Sequence, residues 1–247
     1  MSLHLYLVAG GTLDGTRVGD VVVLDGSEGR HAATVKRTQP GEHLRLADGA
    51  GRLVTGEVES VERDRLTLRV EIVEDVPVPS PRLVLVQALA KGDRDDQAIE
   101  AATELGVDEV VPWQASRSIV QWRGDRGDKA WRKWDAVLIA ATKQSRRPRR
   151  PILAPVVTTT ELAARIAAGV TAYVLHEDAQ LPLAAETLPD EGDVLLVVGP
   201  EGGIAPQELE AFASAGARIV RLGDTVLRSS SAGPAALAVL SASARWR

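Results

Sequence analysis

Cysteine is absent from the 247 residues of the sequence, and aromatic residues make up only 3% of them. The lack of cysteine excludes disulfides, thiol catalysis and thiolate metal sites. The four histidines show no spacing typical of metal ligands, so we expect no bound metal. No apolar run approaches membrane-spanning length, and the first apolar segment, residues 3–9, is too short for a signal peptide. These absences predict a cytoplasmic protein that does not interact with a membrane.

Acidic residues outnumber basic ones, but the basic residues are concentrated locally. The formal net charge of −5 disfavours a general coating role on nucleic acids. Residues 145–151 form an arginine-rich run punctuated by proline, which cannot be a regular helix, so we expect its arginines to point outward. A solvated loop would explain such a run by itself. A focused basic patch on an acidic protein nevertheless favours a specific RNA partner, because arginine binds phosphate oxygens in pairs.

The first 75 residues predict a small β-barrel. Leu66, Leu68, Val70 and Ile72 alternate with polar residues and should share one face of a strand. Three prolines in residues 76–81 then make a stiff connector. We therefore predict a barrel domain (1–75), a linker (76–82) and a second domain (83–247). The predicted barrel elements are strands at 3–8, 20–24, 43–47, 52–61 and 65–73 and one helix at 29–38.

Beyond the linker, strands and helices alternate. Residues 83–88 are apolar throughout, as in a strand buried on both faces. The pattern predicts an α/β domain with a mainly parallel sheet. Its strands are expected at 83–88, 109–112, 172–176, 193–198 and 218–222, and its helices at 93–105, 129–143, 160–168, 206–215 and 232–244.

A glycine-rich turn, residues 199–203, directly follows one of these strands. Glycines at the carboxyl end of a parallel strand let the backbone approach a ligand closely. Pro206 and Glu208 mark the start of the next helix. The turn matches no common nucleotide-binding template, and a tight strand-to-helix connection without a ligand is the more frequent explanation.

A second segment, residues 222–231, also joins a strand to a helix. Its three serines are expected to cap that helix, and capping fully explains at least one of them. Capping does not explain Arg228, because the positive end of the helix dipole disfavours a cation there. We therefore expect Arg228 to face a ligand or an acidic partner. Lys91 and Arg94, near another strand end, are suited to phosphate contact, although as surface charges they would be unremarkable.

Several short motifs occur together and in order along the second domain. They are Lys91-Gly-Asp-Arg94, Ala102-Thr-Glu-Leu-Gly-Val107, Val110-Val-Pro112, Arg117-Ser118, Gln144-Ser145, Gly199-Pro-Glu-Gly-Gly203, Leu222-Gly223 and Val226-Leu-Arg228. In this the chain resembles the RsmE family of 16S rRNA uridine-N3 methyltransferases, which belongs to the SPOUT superfamily. The N-terminal domain is similar to the family's PUA-like RNA-binding barrel. Ser230 and Lys143 stand where the family often has carboxylates.

The resemblance implies an α/β SPOUT domain with a trefoil knot, preceded by a PUA-like β-barrel, and a homodimer. It implies methyl transfer from S-adenosylmethionine to N3 of one uridine of 16S rRNA, within the assembled small ribosomal subunit. The implied cofactor-binding residues are Leu175, His176, Gly199, Pro200, Glu201, Gly202, Gly203, Leu222, Gly223, Val226, Leu227, Arg228 and Ser231. The expected RNA-binding residues are Lys36, Arg37, Lys91, Arg94, Arg117, Lys143, Gln144, Arg146, Arg147, Arg149 and Arg150.

Two residues are candidates for catalysis. Arg228 could stabilise the uridine anion that forms when N3 loses its proton, or it could instead tie its loop to Glu201. Glu201 could act as the base or could order the backbone of its loop. Two other functions remain open: a SPOUT enzyme acting on another rRNA or tRNA nucleotide, and a non-catalytic RNA-binding module with a degenerate knot.

Overall fold

The structure is a computed structural model, which describes residues 3–246. Contacts divide the chain into two compact units. Unit 1 extends to Val78 and includes Thr142–Arg150, whereas unit 2 comprises Pro79–Ala141 and the residues from Pro151 onward. The domain limits expected from the sequence remain a prediction, and they leave residues 142–150 outside the first domain. Within residues 3–246, no helix combines the length and apolarity that crossing a membrane requires.

Unit 1 is built on a five-stranded sheet with the order β1-β3-β4-β5-β2. Only the pair β1 and β3 is parallel. A short helix, α1 (Gly26–Arg30), runs directly into a π-helical turn (His31–Val35), where the sequence predicted one continuous helix. The strands are β1 (Leu5–Leu7), β2 (Val21–Leu24), β3 (His43–Ala47), β4 (Arg52–Val61) and β5 (Leu66–Asp75).

The alternation predicted along β5 is interrupted. Leu66, Leu68 and Val70 are buried in the core of unit 1, as expected, but Ile72 is 51% exposed. The register between β4 and β5 shifts at Thr55 and Gly56, so one extra residue enters β5 between Val70 and Ile72. A bulge of this kind turns the following side chain to the opposite face. The prediction that Ile72 shares the buried face was therefore wrong.

Unit 2 contains a parallel sheet with the order β11-β13-β10-β12-β6-β7-β8, and β9 also pairs with β7. Every strand pair in this sheet is parallel, which confirms the mainly parallel arrangement expected from the sequence. The strands are β6 (Arg82–Ala88), β7 (Glu109–Gln114), β8 (Ile152–Leu153), β9 (Val157–Thr158), β10 (Thr171–Leu175), β11 (Leu181–Pro182), β12 (Asp193–Val198) and β13 (Arg218–Arg221).

Helices cover both faces of this sheet, because consecutive side chains of its central strands point to opposite sides. In β6, Leu83 and Leu85 pack into a core shared with α2, α3 and α6, whereas Val84 and Val86 pack into a core shared with α4 and α5. The helices are α2 (Arg94–Glu104), α3 (Gly124–Gln144), α4 (Thr159–Ala167), α5 (Pro206–Ser214) and α6 (Ser229–Ala244).

Three neighbouring strands position the site. β13, β10 and β12 lie side by side and parallel, so their carboxyl ends meet at one edge of the sheet. The chain segments that follow these ends are residues 176–178, 199–205 and 222–228. The topology thus brings together two segments singled out in the sequence and a third that follows β10.

Candidate active site

The loops after β10, β12 and β13 line an open cavity of about 870 Å³ at the carboxyl edge of the sheet in unit 2. All of the expected cofactor-binding residues except Ser231 line it, as do Arg94 and Arg117. Their roles remain predictions, but their proximity is a property of the fold. No individual role was expected for Glu177, Asp178, Arg221 or Thr225, which also line the cavity. In the sequence, only their positions next to the expected residues indicated that they line the same cavity.

The glycine-rich loop after β12 owes its shape to missing side chains. A Cβ atom added to Gly199 would lie 2.6 Å from Cγ1 of Ile204, which is itself buried. Gly203 has a φ of 71°, which disfavours other residues, and its N–H donates to the carbonyl of Pro200 at 2.9 Å. The loop therefore folds back tightly on itself and presents backbone groups to the cavity.

Glu201 is held by two donors from the segment that leads into α2. The Arg94 guanidinium donates to Oε1 of Glu201 at 2.9 Å, and the backbone N–H of Lys91 donates to the same oxygen at 3.3 Å. The structure contains no ion pair or hydrogen bond between Arg228 and Glu201, which the alternative role of Arg228 as a tie between the two loops would require. The geometry favours a loop-ordering role for Glu201 over its use as a base.

Arg228 is the N-cap residue of α6 and is exposed. Its carbonyl accepts hydrogen bonds from the N–H groups of Ser231 and Ala232, both at 2.9 Å. Among residues 3–246 its guanidinium has no hydrogen-bond or ion-pair partner. A cation at the cavity wall without a protein partner is available to a negatively charged group of a ligand.

The expected serine caps are missing at the start of α6. No side-chain cap hydrogen bond forms there, and Oγ of Ser229 is buried without a partner among the described residues. The prediction that at least one of the three serines caps the helix was wrong, because Arg228 rather than a serine occupies the N-cap position. The first N–H groups of α6 are therefore not satisfied by a capping hydroxyl.

Residues 145–150 of the basic run belong to unit 1, as does Lys143, and some of these basic side chains make structural contacts. The Arg149 guanidinium donates to the carbonyl of Val76 at 2.6 Å and 2.9 Å and to that of Pro77 at 3.1 Å. Nζ of Lys143 lies 2.7 Å from Oε1 of Glu28. The expectation that every arginine of this run points outward was therefore wrong for Arg149.

Other expected RNA-contacting side chains remain accessible. In unit 1 the exposed ones are Lys36, Arg37, Gln144 and Arg146. Arg150 is half-buried, and burial lowers the pKa of its guanidinium. In unit 2, Lys91 and Arg94 are exposed, and Nη1 of Arg117 donates to the carbonyl of Gly202 at 3.0 Å.

One potential metal-ligand cluster occurs within residues 3–246, on the exposed face of the unit 1 sheet. His43, Glu57 and Glu71 place one ligand atom each within 4.8 Å of the others. Nε2 of His43 lies 3.0 Å from Oε2 of Glu71, so a protonated histidine would form an ion pair there.

Comparison with known proteins defines the class of this chain. The family described as RNA methyltransferase domain matches residues 78–241, and the family described as RNA methyltransferase PUA domain matches residues 24–71. The ribosomal RNA small subunit methyltransferase E of Mycobacterium tuberculosis is 47% identical over 233 residues, which cover 92% of this chain and 89% of that protein. The protein of that name from Bacillus subtilis is 26% identical over 226 residues, 88% of each chain.

Solved structures of methyltransferases also resemble this chain. The ribosomal RNA small subunit methyltransferase E of Neisseria gonorrhoeae bound to S-adenosyl methionine has a TM-score of 0.85 at 27% identity, covering 98% of each chain. A methyltransferase from Legionella pneumophila in complex with the same cofactor has a TM-score of 0.82 at 27% identity, again with 98% of each chain covered. The chain belongs to the ribosomal RNA small subunit methyltransferase E family, with a PUA-like unit 1 and an α/β unit 2 that contains most of the RNA methyltransferase domain.

Proposed function

We propose that this enzyme transfers the methyl group of S-adenosylmethionine to N3 of one uridine in 16S rRNA. The observation that carries the proposal is the cavity at the ends of β10, β12 and β13, where the Arg228 guanidinium has no partner among residues 3–246. Its volume of about 870 Å³ suits a nucleoside-sized ligand. Family membership supplies the reaction class, an S-adenosylmethionine-dependent rRNA methylation.

The lining of the cavity fits the proposed cofactor. Leu175, Leu222 and Leu227 provide apolar surface for an adenine ring, and the glycines of residues 199–203 expose backbone groups for its polar edge. When bound, the cofactor supplies a methyl group activated by a positively charged sulfonium. The task left to this chain is to align the uridine with that methyl group and to stabilise the charge that N3 acquires.

Arg228 is our candidate for that charge stabilisation. Uridine N3 carries a proton at neutral pH, and its loss to solvent places negative charge on N3, O2 and O4. A guanidinium without another partner can donate to O2 or O4 and favour that anion. We assign Glu201 to ordering of the glycine-rich loop, because Arg94 and the Lys91 N–H already engage its carboxylate.

The substrate must present an accessible base. N3 lies on the Watson–Crick edge, so the target uridine must be unpaired or flipped out, at a cost of a few kcal/mol. We propose that contacts to the RNA backbone offset this cost and come from Lys36, Arg37, Gln144 and Arg146 in unit 1 and from Lys91, Arg94 and Arg117 in unit 2. We further propose that the enzyme is a knotted homodimer that acts in the cytoplasm on the assembled small subunit.

Mass spectrometry of 16S rRNA from a strain lacking the gene tests this proposal. We expect N3-methyluridine to disappear from one position and to return when the gene is restored. Unchanged N3-methyluridine would contradict the assignment of the nucleotide and favour a different rRNA or tRNA target. Calorimetry of the purified protein with S-adenosylmethionine is the companion measurement, since absence of binding would favour a non-catalytic RNA-binding module.

A further inference from the structure

Glu208 is a buried carboxylate in the first turn of α5, with only 5% of its surface exposed. Its oxygens accept hydrogen bonds from four donors. Oε1 accepts from the Ser116 N–H at 2.8 Å and from Oγ1 of Thr159 at 2.7 Å. Oε2 accepts from Oγ of Ser116 at 3.0 Å and from the Ala205 N–H at 3.1 Å. A carboxylate suits this place because it offers acceptors only.

The ionised form of Glu208 is favoured despite its burial. Burial raises the pKa of the carboxyl group, but the hydrogen bonds from Ser116, Thr159 and Ala205 outweigh it and hold the pKa below its usual range. An acceptor that receives four donors at once cannot be replaced by a neutral group without leaving at least one donor unpaired.

The donors come from three separate segments of unit 2. Ala205 follows the glycine-rich loop, Ser116 follows β7, and Thr159 begins α4. Next to Ser116 is Arg117, whose guanidinium donates to the carbonyl of Gly202 at 3.0 Å. Glu208 therefore holds Ala205, just after the glycine-rich loop, and Ser116, next to Arg117, at the same time.

The contact between Arg117 and the loop is close. A Cβ atom added to Gly202 would lie 3.4 Å from Cβ of Arg117, an ordinary van der Waals contact, so the two segments lie next to each other with space for one methyl group between them. Arg117 and residues 199–203 both line the cavity. The shape of that wall thus depends on the group that sets both segments in place.

We propose that Glu208 is a positioning residue, which acts through Ser116 and Ala205 to hold Arg117 and the glycine-rich loop in the arrangement that binds the cofactor. This inference rests on the proposed function for the identity of the ligand. It assigns Glu208 no contact with substrate or cofactor.

Replacement of Glu208 by Gln is the principal test, with S-adenosylmethionine affinity measured by calorimetry. The amide nitrogen of Gln is a donor, so it cannot accept from Ser116 and Ala205 as the second oxygen does. We expect the dissociation constant to rise about tenfold, as for loss of a hydrogen bond to a charged group. Glu210→Gln, on the exposed side of the same helix, is the matched control and should bind as the wild type does.

A double-variant cycle separates positioning from a general loss of stability. If Glu208 acts through Arg117, the double variant Glu208→Gln/Arg117→Ala should bind the cofactor more weakly than wild type by less than the product of the two single effects. Multiplicative effects would overturn the proposal, as would wild-type affinity of Glu208→Gln at a temperature where it is folded.

Should Glu208→Gln fail to fold, Ser116→Ala decides the matter, since it removes only the Oγ hydrogen bond. We expect about a threefold loss of cofactor affinity, and an unchanged affinity would overturn the proposal. Cofactor binding does not depend on which nucleotide is methylated. Wild-type protein that binds no S-adenosylmethionine would contradict the proposed function, whereas wild-type protein that binds it as tightly as the variants would contradict only the role of Glu208.

Discussion

The Arg94 guanidinium and the Glu201 carboxylate, 107 positions apart in the sequence, meet at 2.9 Å at the edge of the candidate active site. The pair joins the start of α2 to the glycine-rich loop after β12. Both partners are partly exposed, so the ion pair contributes little to global stability. Its effect is local, because it fixes the direction of a carboxylate that would otherwise be a candidate base.

Replacement of Glu201 by Gln tests whether this carboxylate orders the loop. We expect turnover at saturating cofactor to fall by less than about tenfold, whereas loss of a general base typically costs about 10²–10⁴-fold. The KM for S-adenosylmethionine should rise, because the loop loses its charged link to Arg94. Steady-state methylation of small subunits measures both quantities, and a loss of turnover in the larger range would restore the base assignment.

Replacement of Arg228 by Ala should reduce turnover by about 10²–10³-fold, the effect of removing a charge-stabilising donor. The melting temperature should barely change, because the side chain is exposed and has no protein partner among the described residues. Arg132→Ala, which removes an exposed arginine from α3, provides the control for net charge. Full activity of Arg228→Ala would refute its proposed role.

Adding a methyl group at residue 199 should weaken cofactor binding. In Gly199→Ala the new Cβ would lie 2.6 Å from a buried carbon of Ile204, so the loop must shift. We expect cofactor affinity to fall at least about tenfold. Gly10→Ala is a suitable comparison, because its Cβ would meet nothing within 4 Å. Calorimetry reports the affinity, and unchanged binding by Gly199→Ala would show that the loop tolerates the displacement.

Asp95 predicts a specific dependence of stability on pH. Burial, followed by the nearby charge of Asp96, raises the pKa of this carboxyl from 3.8 to about 6. The folded state therefore binds the proton more tightly than the unfolded state. The resulting stabilisation is complete below about pH 4 and is lost as the pH rises through about 6.

Asp95→Asn should remove this dependence. A shift of about two pKa units corresponds to a ceiling of about 3 kcal/mol, so we expect the variant to gain about 1–2 kcal/mol in free energy of unfolding at pH 7. At pH 4 the two proteins should differ much less. Urea titrations at both pH values measure the difference, and an equal difference at pH 4 and pH 7 would contradict a raised pKa.

The sequence was most informative where one physical effect dominates. The apolar run in β6 predicted a strand covered on both faces, and both cores contain its side chains. The dipole argument at the start of α6 singled out Arg228, whose guanidinium has no partner among the described residues. In both cases the signal lies within a few neighbouring residues.

Two of the errors have long-range or irregular causes. Ile72 follows a bulge that no periodicity reveals, and the role of Arg149 depends on carbonyls at Val76 and Pro77. Glu208 was visible in the sequence only as a helix-start residue. Its other donors, Ser116 and Thr159, lie 92 and 49 positions away and become its neighbours only through the fold.

Residues 142–150 belong to unit 1, and this affects when unit 1 can be completed during synthesis. Unit 1 is discontinuous, so the chain leaves it after Val78 and returns at Thr142. During synthesis, Arg149 is translated only after more than half of the chain, so the carbonyls of Val76 and Pro77 lack this donor until then. An N-terminal fragment that ends within residues 76–82 would lack Arg149. A single crossover within residues 76–82 would combine the first part of unit 1 from one relative with residues 142–150 from the other, so a chimera with a unit 1 of one origin must carry residues 142–150 along with the first segment.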